Sequence, residues 1–279
     1  MSAADFSTNY TAWIGRTEAS QDVLSHNLIK RIAATFAEPT PAVGQALPPL
    51  WQWCFFQDPV PECQLGEDGH PARGGFLPPA DNRNRMWAGG RVQFIEPLLV
   101  GAAAERLSTL VHIEEKHGRT GALLFVTVRH DYLQDGRLCL REEQDIVYRE
   151  PNPPKLTSDQ APHDGEWSET ITPTPTLLFR YSAVTFNGHR IHYDYPYVTD
   201  TEGYPGLVVH GPLIATLSLR AFSRAHPDKR IRQFNYRGVR PLAVPTPFQV
   251  GGRLRDNGTA QIWASNDAGI AQHGEVLFD

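Results

Sequence analysis

The run FNGHRIHYD, residues 186–194, places Asn187, His192 and Asp194 in one short stretch, a set that could hold water and move its protons. A neutral imidazole at His192 can take a proton near neutral pH and return it once charge has developed elsewhere. A carboxamide at Asn187 can hold water or a carbonyl through its donor and acceptor, but it is no carboxylate base. Asp194 lies two positions past His192, on the same side if the chain there is extended. From there it can orient the imidazole or act as a second acid–base group. Plainer roles stay open at each position: a histidine bonded to a carbonyl, an asparagine closing a turn, an aspartate in water.

Downstream, GYPGLVVHGPLIATL passes from a glycine-rich segment into an apolar stretch. Proline suits the first turn of a helix because no amide hydrogen is needed there. Gly211 before Pro212 lets a ligand approach the backbone. A free amide at Gly211, aided by the positive end of a helix, can stabilise an enolate oxygen; a capped core helix is the alternative. His189, His192, Asp194 and His210 also make a nominal metal-ligand set. Their spacing defines no tetrahedral site and no HExxH motif occurs, so no metal is expected. Arg190 can match a carboxylate through two directed donors, or simply face solvent.

Other chemistries find little support. There is no GxGxxG loop, no Walker loop and no GxSxG nucleophile elbow. Cys54 and Cys63 are not spaced as a CxxC pair, and three cysteines form no disulfide framework. The aromatic group Trp51, Trp53, Phe55 and Phe56 reads as packing or pocket wall. The segment DKRIRQF, residues 228–234, is either a coenzyme-phosphate contact or a solvated strand edge.

The elements that must position these groups fall into two halves. Leu24, Leu28, Ile32 and Phe36 predict a helix over 22–37, with Ser20 as its cap and Pro39 beyond its end. PLWQWCFFQ reads as a strand or buried aromatic segment. Residues 57–90, rich in Pro, Gly, Asp and Asn, form a long irregular excursion of a kind that usually has a reason, such as a substrate or subunit contact. Strands follow from Arg91 to Glu150, with a hairpin at Asp135-Gly136. The proline-rich 151–169 reads as a linker between an N-terminal unit, 1–150, and a C-terminal unit, 170–279. The second unit opens with a strand at LLFRYSAVTF, continues with a buried helix from Pro212 to Phe222, and ends in strands with turns at Asn257-Gly258 and Asp267–Gly269. A helix followed by antiparallel strands thus recurs, predicting an α+β chain of two helix-wrapped sheets side by side. One continuous α+β domain is the alternative.

At 279 residues and 41% apolar content, burial alone can stabilise such a chain. A formal charge of −5 argues against a broad nucleic-acid surface. The sequence has no apolar run long enough to span a membrane and no secretory pattern, so a cytoplasmic location is expected, or a mitochondrial matrix in a eukaryote.

FNGHRIHYD together with GYPGLVVHGPLIATL resembles the MaoC-like enoyl-thioester hydratases and dehydratases, near the fatty-acid-synthase-dehydratase-like and mitochondrial hydroxyacyl-thioester dehydratases. The family signature approximates Gly-Asp-x-Asn-Pro-apolar-His with an acidic residue two positions on. Here its aspartate falls at Asn187, its asparagine at His189, its proline at Arg190 and its histidine at His192. The resemblance implies a double hot-dog fold and a hydro-lyase that adds or removes water at the α,β double bond of an acyl-CoA, with itaconyl- or mesaconyl-C4-type substrates in the subgroup. It makes His192 the base, Asn187 a water holder, Asp194 a proton partner, and Gly211 an oxyanion donor; His189, Arg190 and His210 line the substrate. Coenzyme A arrives on the substrate, with acyl carrier protein as the other possible carrier. No separate cofactor is implied, and the expected assembly is a homodimer. A 3-hydroxyacyl-carrier-protein dehydratase, a thioesterase and a catalytically silent thioester binder are the alternatives.

Overall fold

Two runs of five strands share one plan. In the computed structural model, which describes residues 10–72, 74–80, 83–118, 121–150 and 152–279, the first run is β1 (Thr17–Val23), β2 (Asn84–Phe94), β3 (Ala103–Gly118), β4 (Gly121–Gln134) and β5 (Arg137–Arg149). The second is β6 (Trp167–Ile171), β7 (Ile231–Gly238), β8 (Phe248–Arg255), β9 (Thr259–Asn266) and β10 (Gly269–Phe278). Helix α1 (His26–Phe36) lies between β1 and β2, while α2 (Pro175–Val184) and α3 (Gly211–Ala225) lie between β6 and β7. The spatial order is β1-β3-β4-β5-β2 followed by β7-β10-β9-β8-β6, so each half places its second strand beside its fifth. Antiparallel pairing of β2 with β7, from Gly89 opposite Arg237 to Gln93 opposite Gln233, joins the halves. The predicted pair of helix-associated antiparallel sheets is therefore present, fused along one seam into a ten-stranded sheet.

Local chemistry accounts for most of these elements. β4 alternates between more and less exposed positions along its length, the period-two pattern of a strand with one covered face. The β4–β5 turn has positive φ at Asp135 (50°) and Gly136 (71°), the conformation of the two-residue hairpin expected there. Helix α3 is buried around most of its circumference, including Leu213, Ile214, Leu217, Leu219 and Phe222, and it lies against β6, β8, β9 and β10. Each such side chain contributes about 1.5–3 kcal/mol on burial.

Two expectations are corrected. The 22–37 helix starts later, at His26, with Ser25 rather than Ser20 as its cap; Ser20 lies in β1, paired with Arg106 of β3. LLFRYSAVTF is mainly helical: Thr174 Oγ1 accepts the Leu177 amide and Pro175 occupies the first turn, so α2 forms where a strand was expected. Of the two readings of PLWQWCFFQ the buried aromatic segment holds: Trp51, Trp53, Phe55 and Phe56 are buried, around a 3₁₀ turn at Trp51–Cys54. Helix α1 packs on α2, with Phe36 stacked on Trp51 and edge-on to Tyr181. Among the described residues, no helix is long and apolar enough to cross a membrane.

Candidate active site

After α2 the backbone turns through Phe186, whose φ is 49°, into a 3₁₀ turn at Arg190–His192. Asn187 Oδ1 accepts the His189 amide at 2.9 Å, which fixes this turn and leaves the carboxamide nitrogen as a donor. His192 follows, only 6% exposed. Its Nδ1 lies 2.7 Å from the carbonyl oxygen of Val208. A carbonyl can only accept, so Nδ1 carries the proton and Nε2 keeps its lone pair. Burial lowers the His192 pKa to about 3; the Val208 hydrogen bond opposes that shift and the His70 charge adds to it. The imidazole is neutral at pH 7, the form a base requires.

His192 belongs to a row of rings. His210 stacks on it at 3.5 Å between centroids and contacts Ser182 Oγ through Nε2 at 2.8 Å. His189 stands edge-on to His192 at 5.4 Å, and His70 lies 4.2 Å from His189. Burial, together with the neighbouring histidine charges, pulls His210 well below the usual histidine value and His189 to about 2.

His70 is part of the irregular excursion expected over 57–90, whose described part joins β2 at Asn84. The excursion returns to the site. Asp68 O accepts the Arg190 amide at 2.9 Å, and Glu67 O accepts Arg190 Nη1 at 3.0 Å. Gly69, at φ +84°, lies so close to the catalytic turn that a β-carbon there would overlap the Gly188 carbonyl. A β-carbon on Gly188 would in turn come within 2.7 Å of Gly69 O.

Asp68, His70, Asn187, His189 and His192 line one cleft of about 1590 Å³, shared between the halves, whereas His210 and Arg190, expected to line the substrate, do not line it. Its walls include Phe125 and Ile146 from the first half and Tyr181, Val209 and Ile214 from the second. That space exceeds a usual small-ligand pocket and suits an acyl group with a long carrier arm. Gly211 lines it at the start of α3, a helix end with no side-chain cap and open space where a β-carbon would sit. An oxygen with developing negative charge is favoured there.

The structure brings together His192, Asn187, His189, His210 and Gly211, but not Asp194. Asp194 takes Arg190 Nε and Nη2 on Oδ2 at 2.9 and 2.8 Å and the Tyr197 amide on Oδ1, so the backbone of Val208, not Asp194, orients His192. The turn is helical rather than extended, which pairs positions 190 and 194. Arg190 is engaged by Asp194 and Glu67 O and covers the Tyr197 ring at 4.0 Å, so its guanidinium is not held open for a substrate carboxylate, one of the two roles left open for it. The nominal ligand set with Asp194 does not assemble. The ligand atoms of Asp68, His70 and His189 do lie within 4.8 Å of one another, close enough to be drawn around an ion. In 228–234, Arg232 pairs with Asp279 and Lys229 covers Phe278 at 4.8 Å, and none of its basic residues lines the cleft. Sequence reasoning passed over Asp68, His70 and Ser182; the DGH triplet inside an unusually long excursion was the available signal.

A family model for hydroxyacyl-thioester dehydratase type 2 matches residues 50–244, and the chain belongs to that family. It is 47% identical over 259 residues to the mesaconyl-C4-CoA hydratase of Chloroflexus aurantiacus, covering 91% of this chain and 90% of that one. It is 28% identical over 267 residues to the mitochondrial hydroxyacyl-thioester dehydratase type 2 of Schizosaccharomyces pombe, covering 82% and 88%. A MaoC-like dehydratase from Phytophthora capsici superposes with a TM-score of 0.69 at 14% identity, covering 95% of this chain and 96% of that one, a likeness of fold. The hydratase/dehydratase class and the hot-dog fold expected from the sequence both hold.

Proposed function

We propose that the chain interconverts an α,β-unsaturated dicarboxylic acyl-CoA of the mesaconyl-C4 type and its hydroxyacyl product. The observation that carries this reading is His192, with its lone pair on Nε2, in the same cleft as the uncapped start of α3. The Gly211 amide would hold the thioester oxygen as it gains charge, where one such donor is worth about 2.7–4 kcal/mol. His192 would take a proton from water as the water oxygen bonds the β-carbon, and the Asn187 nitrogen would hold that water. The reverse sequence is dehydration. The residues present supply this proton chemistry without a redox group, and coenzyme A comes with the substrate.

Arg85 supports the dicarboxylic assignment. It lines the cleft, its charge reaches His189, and it has no acidic partner among the described residues. A guanidinium so placed matches a second carboxylate through paired donors. The 47% identical relative is named for such a substrate. Free Cys54, Cys63 and Cys139 suit a reducing compartment such as cytoplasm. The outer edges of β1 and β6 are available for pairing two copies into a dimer.

Purified protein assayed with mesaconyl-C4-CoA and with crotonyl-CoA, which lacks the second carboxylate, tests the assignment. Arg85→Met is expected to raise KM for the dicarboxylic substrate about tenfold, equivalent to about 1.4 kcal/mol, and leave crotonyl-CoA nearly unchanged. Equal effects on both substrates would remove Arg85 from carboxylate recognition.

A further inference from the structure

Water addition needs two proton movements, one off the water at the β-carbon and one onto the α-carbon. His192 can serve the first. The position where the family resemblance places a carboxylate holds Asn187, which cannot serve the second. Asp194 is engaged by Arg190. His210 sits behind His192, stacked on it and bonded to Ser182.

What the C-terminal half lacks lies on the loop from the N-terminal half. His70 Nδ1 is 3.1 Å from Asp68 Oδ2, and the His70 amide donates to Asp68 Oδ1 at 3.0 Å. Both residues line the cleft that holds His192 and Gly211, and the His70 ring lies against His189. The loop is fixed at this spot by the Gly69–Gly188 backbone contact and by two hydrogen bonds from Arg190. Burial would raise the Asp68 pKa, but the His70 side-chain hydrogen bond and charge hold it below the usual carboxylate range, so an ionised carboxylate stands ready to balance an imidazolium.

We propose that Asp68 and His70 form the second acid–base pair of this active site, so that catalysis is divided between the two halves of one chain. The proposal rests on the hydratase reading above. In the hydration direction, a water O–H breaks as its oxygen bonds the β-carbon, and that proton goes to His192 Nε2. The π pair moves through the α-carbon onto the thioester oxygen as an enolate held at Gly211. Protonated His70, balanced by Asp68, gives its proton to the α-carbon, and the carbonyl re-forms. One water is consumed. The proton left on His192 returns to His70 through water or the intervening His189, restoring both groups.

The test measures mesaconyl-C4-CoA and crotonyl-CoA hydration by wild type, His70→Ala, His70→Gln and Asp68→Asn, each checked for folding by thermal melt. Expected results are a fall in kcat of about 100-fold or more for His70→Ala with KM changed little, a smaller fall for Asp68→Asn, and partial rescue of His70→Ala by added imidazole. A structural role would give no imidazole rescue. The proposal is overturned if a folded His70→Ala or His70→Gln works within threefold of wild type, or if the loss lies in KM alone. It is also overturned if wild type carries stoichiometric metal and loses activity on chelation, which would make Asp68, His70 and His189 ligands. A wild type that hydrates neither substrate would defeat the parent reading instead, so the two failures are distinguishable.

Discussion

His130 in the first half and His192 in the second share several properties yet sit in different surroundings. Both are buried, both have a pKa lowered to about 3 chiefly by burial, and both make their contact through Nδ1: His130 with Ser108 Oγ at 2.8 Å, His192 with Val208 O. Only His192 lines the cleft. Near His130, the buried Glu142 is also fully engaged, taking Trp53 Nε1, Tyr132 OH and Gln144 Nε2 at 2.8–3.1 Å. Burial and a shifted pKa therefore do not by themselves mark the chemical group. A place on the cleft wall does.

The sharpest way to break this comparison is to remove each histidine. His192→Ala should lower kcat about 10²–10⁴-fold with a modest loss of stability. His130→Ala should leave kcat within a few fold while costing about 2 kcal/mol of stability, since it leaves a hole beside Ser108. Similar activity losses in both, measured alongside denaturant unfolding, would erase the distinction. Next in size is Glu142→Ala, which strands two buried donors, Trp53 Nε1 and Tyr132 OH, and the half-buried Gln144 amide, and should destabilise by about 3 kcal/mol or more. Wild-type stability in that variant would mean the network contributes nothing.

Gly69→Ala sharpens the other side of the comparison. It collides with the Gly188 carbonyl and demands a positive φ, so a loss of about 1–3 kcal/mol is expected, with reduced kcat because the loop and the catalytic turn separate. Unchanged turnover would show that their contact is dispensable.

The two halves share the pH dependence of stability. His130 and His192 stay unprotonated when folded down to about pH 3, but bind protons near 6.5 when unfolded. The unfolded state thus gains protons first on acidification. Their contribution is complete above about pH 6.5 and falls by up to ~1.4 kcal/mol per pH unit for each histidine down to about pH 3. Unfolding at several pH values should show this slope, reduced by one proton in His130→Gln; a slope identical to wild type would contradict neutral burial of His130.

How much of this was legible in the sequence follows from the range of the forces involved. The hairpin at Asp135-Gly136 and the helix after Gly211 carry their own local signals, and the structure has both. His192 stood out through neighbours in the chain. At α2, Leu177, Phe179 and Tyr181 alternate like a strand, whereas Thr174-Pro175 marks the start of a helix. Asp194 was placed on His192 by assuming extended chain, whereas a helical turn gave it to Arg190. Asp68 and His70 carry only the weak local signal of the DGH triplet, because more than a hundred residues separate them from His189. The packing of Gly69 on Gly188 and the Arg190 hydrogen bonds to Asp68 O and Glu67 O bring them there.

The most direct measurement is mass spectrometry of short, branched and dicarboxylated enoyl-CoAs incubated with the purified protein, with His192→Ala in parallel. The account predicts products heavier by one water with coenzyme A still attached, formed by wild type and nearly absent with the variant. Release of free coenzyme A, or equal water addition by folded His192→Ala, would contradict it.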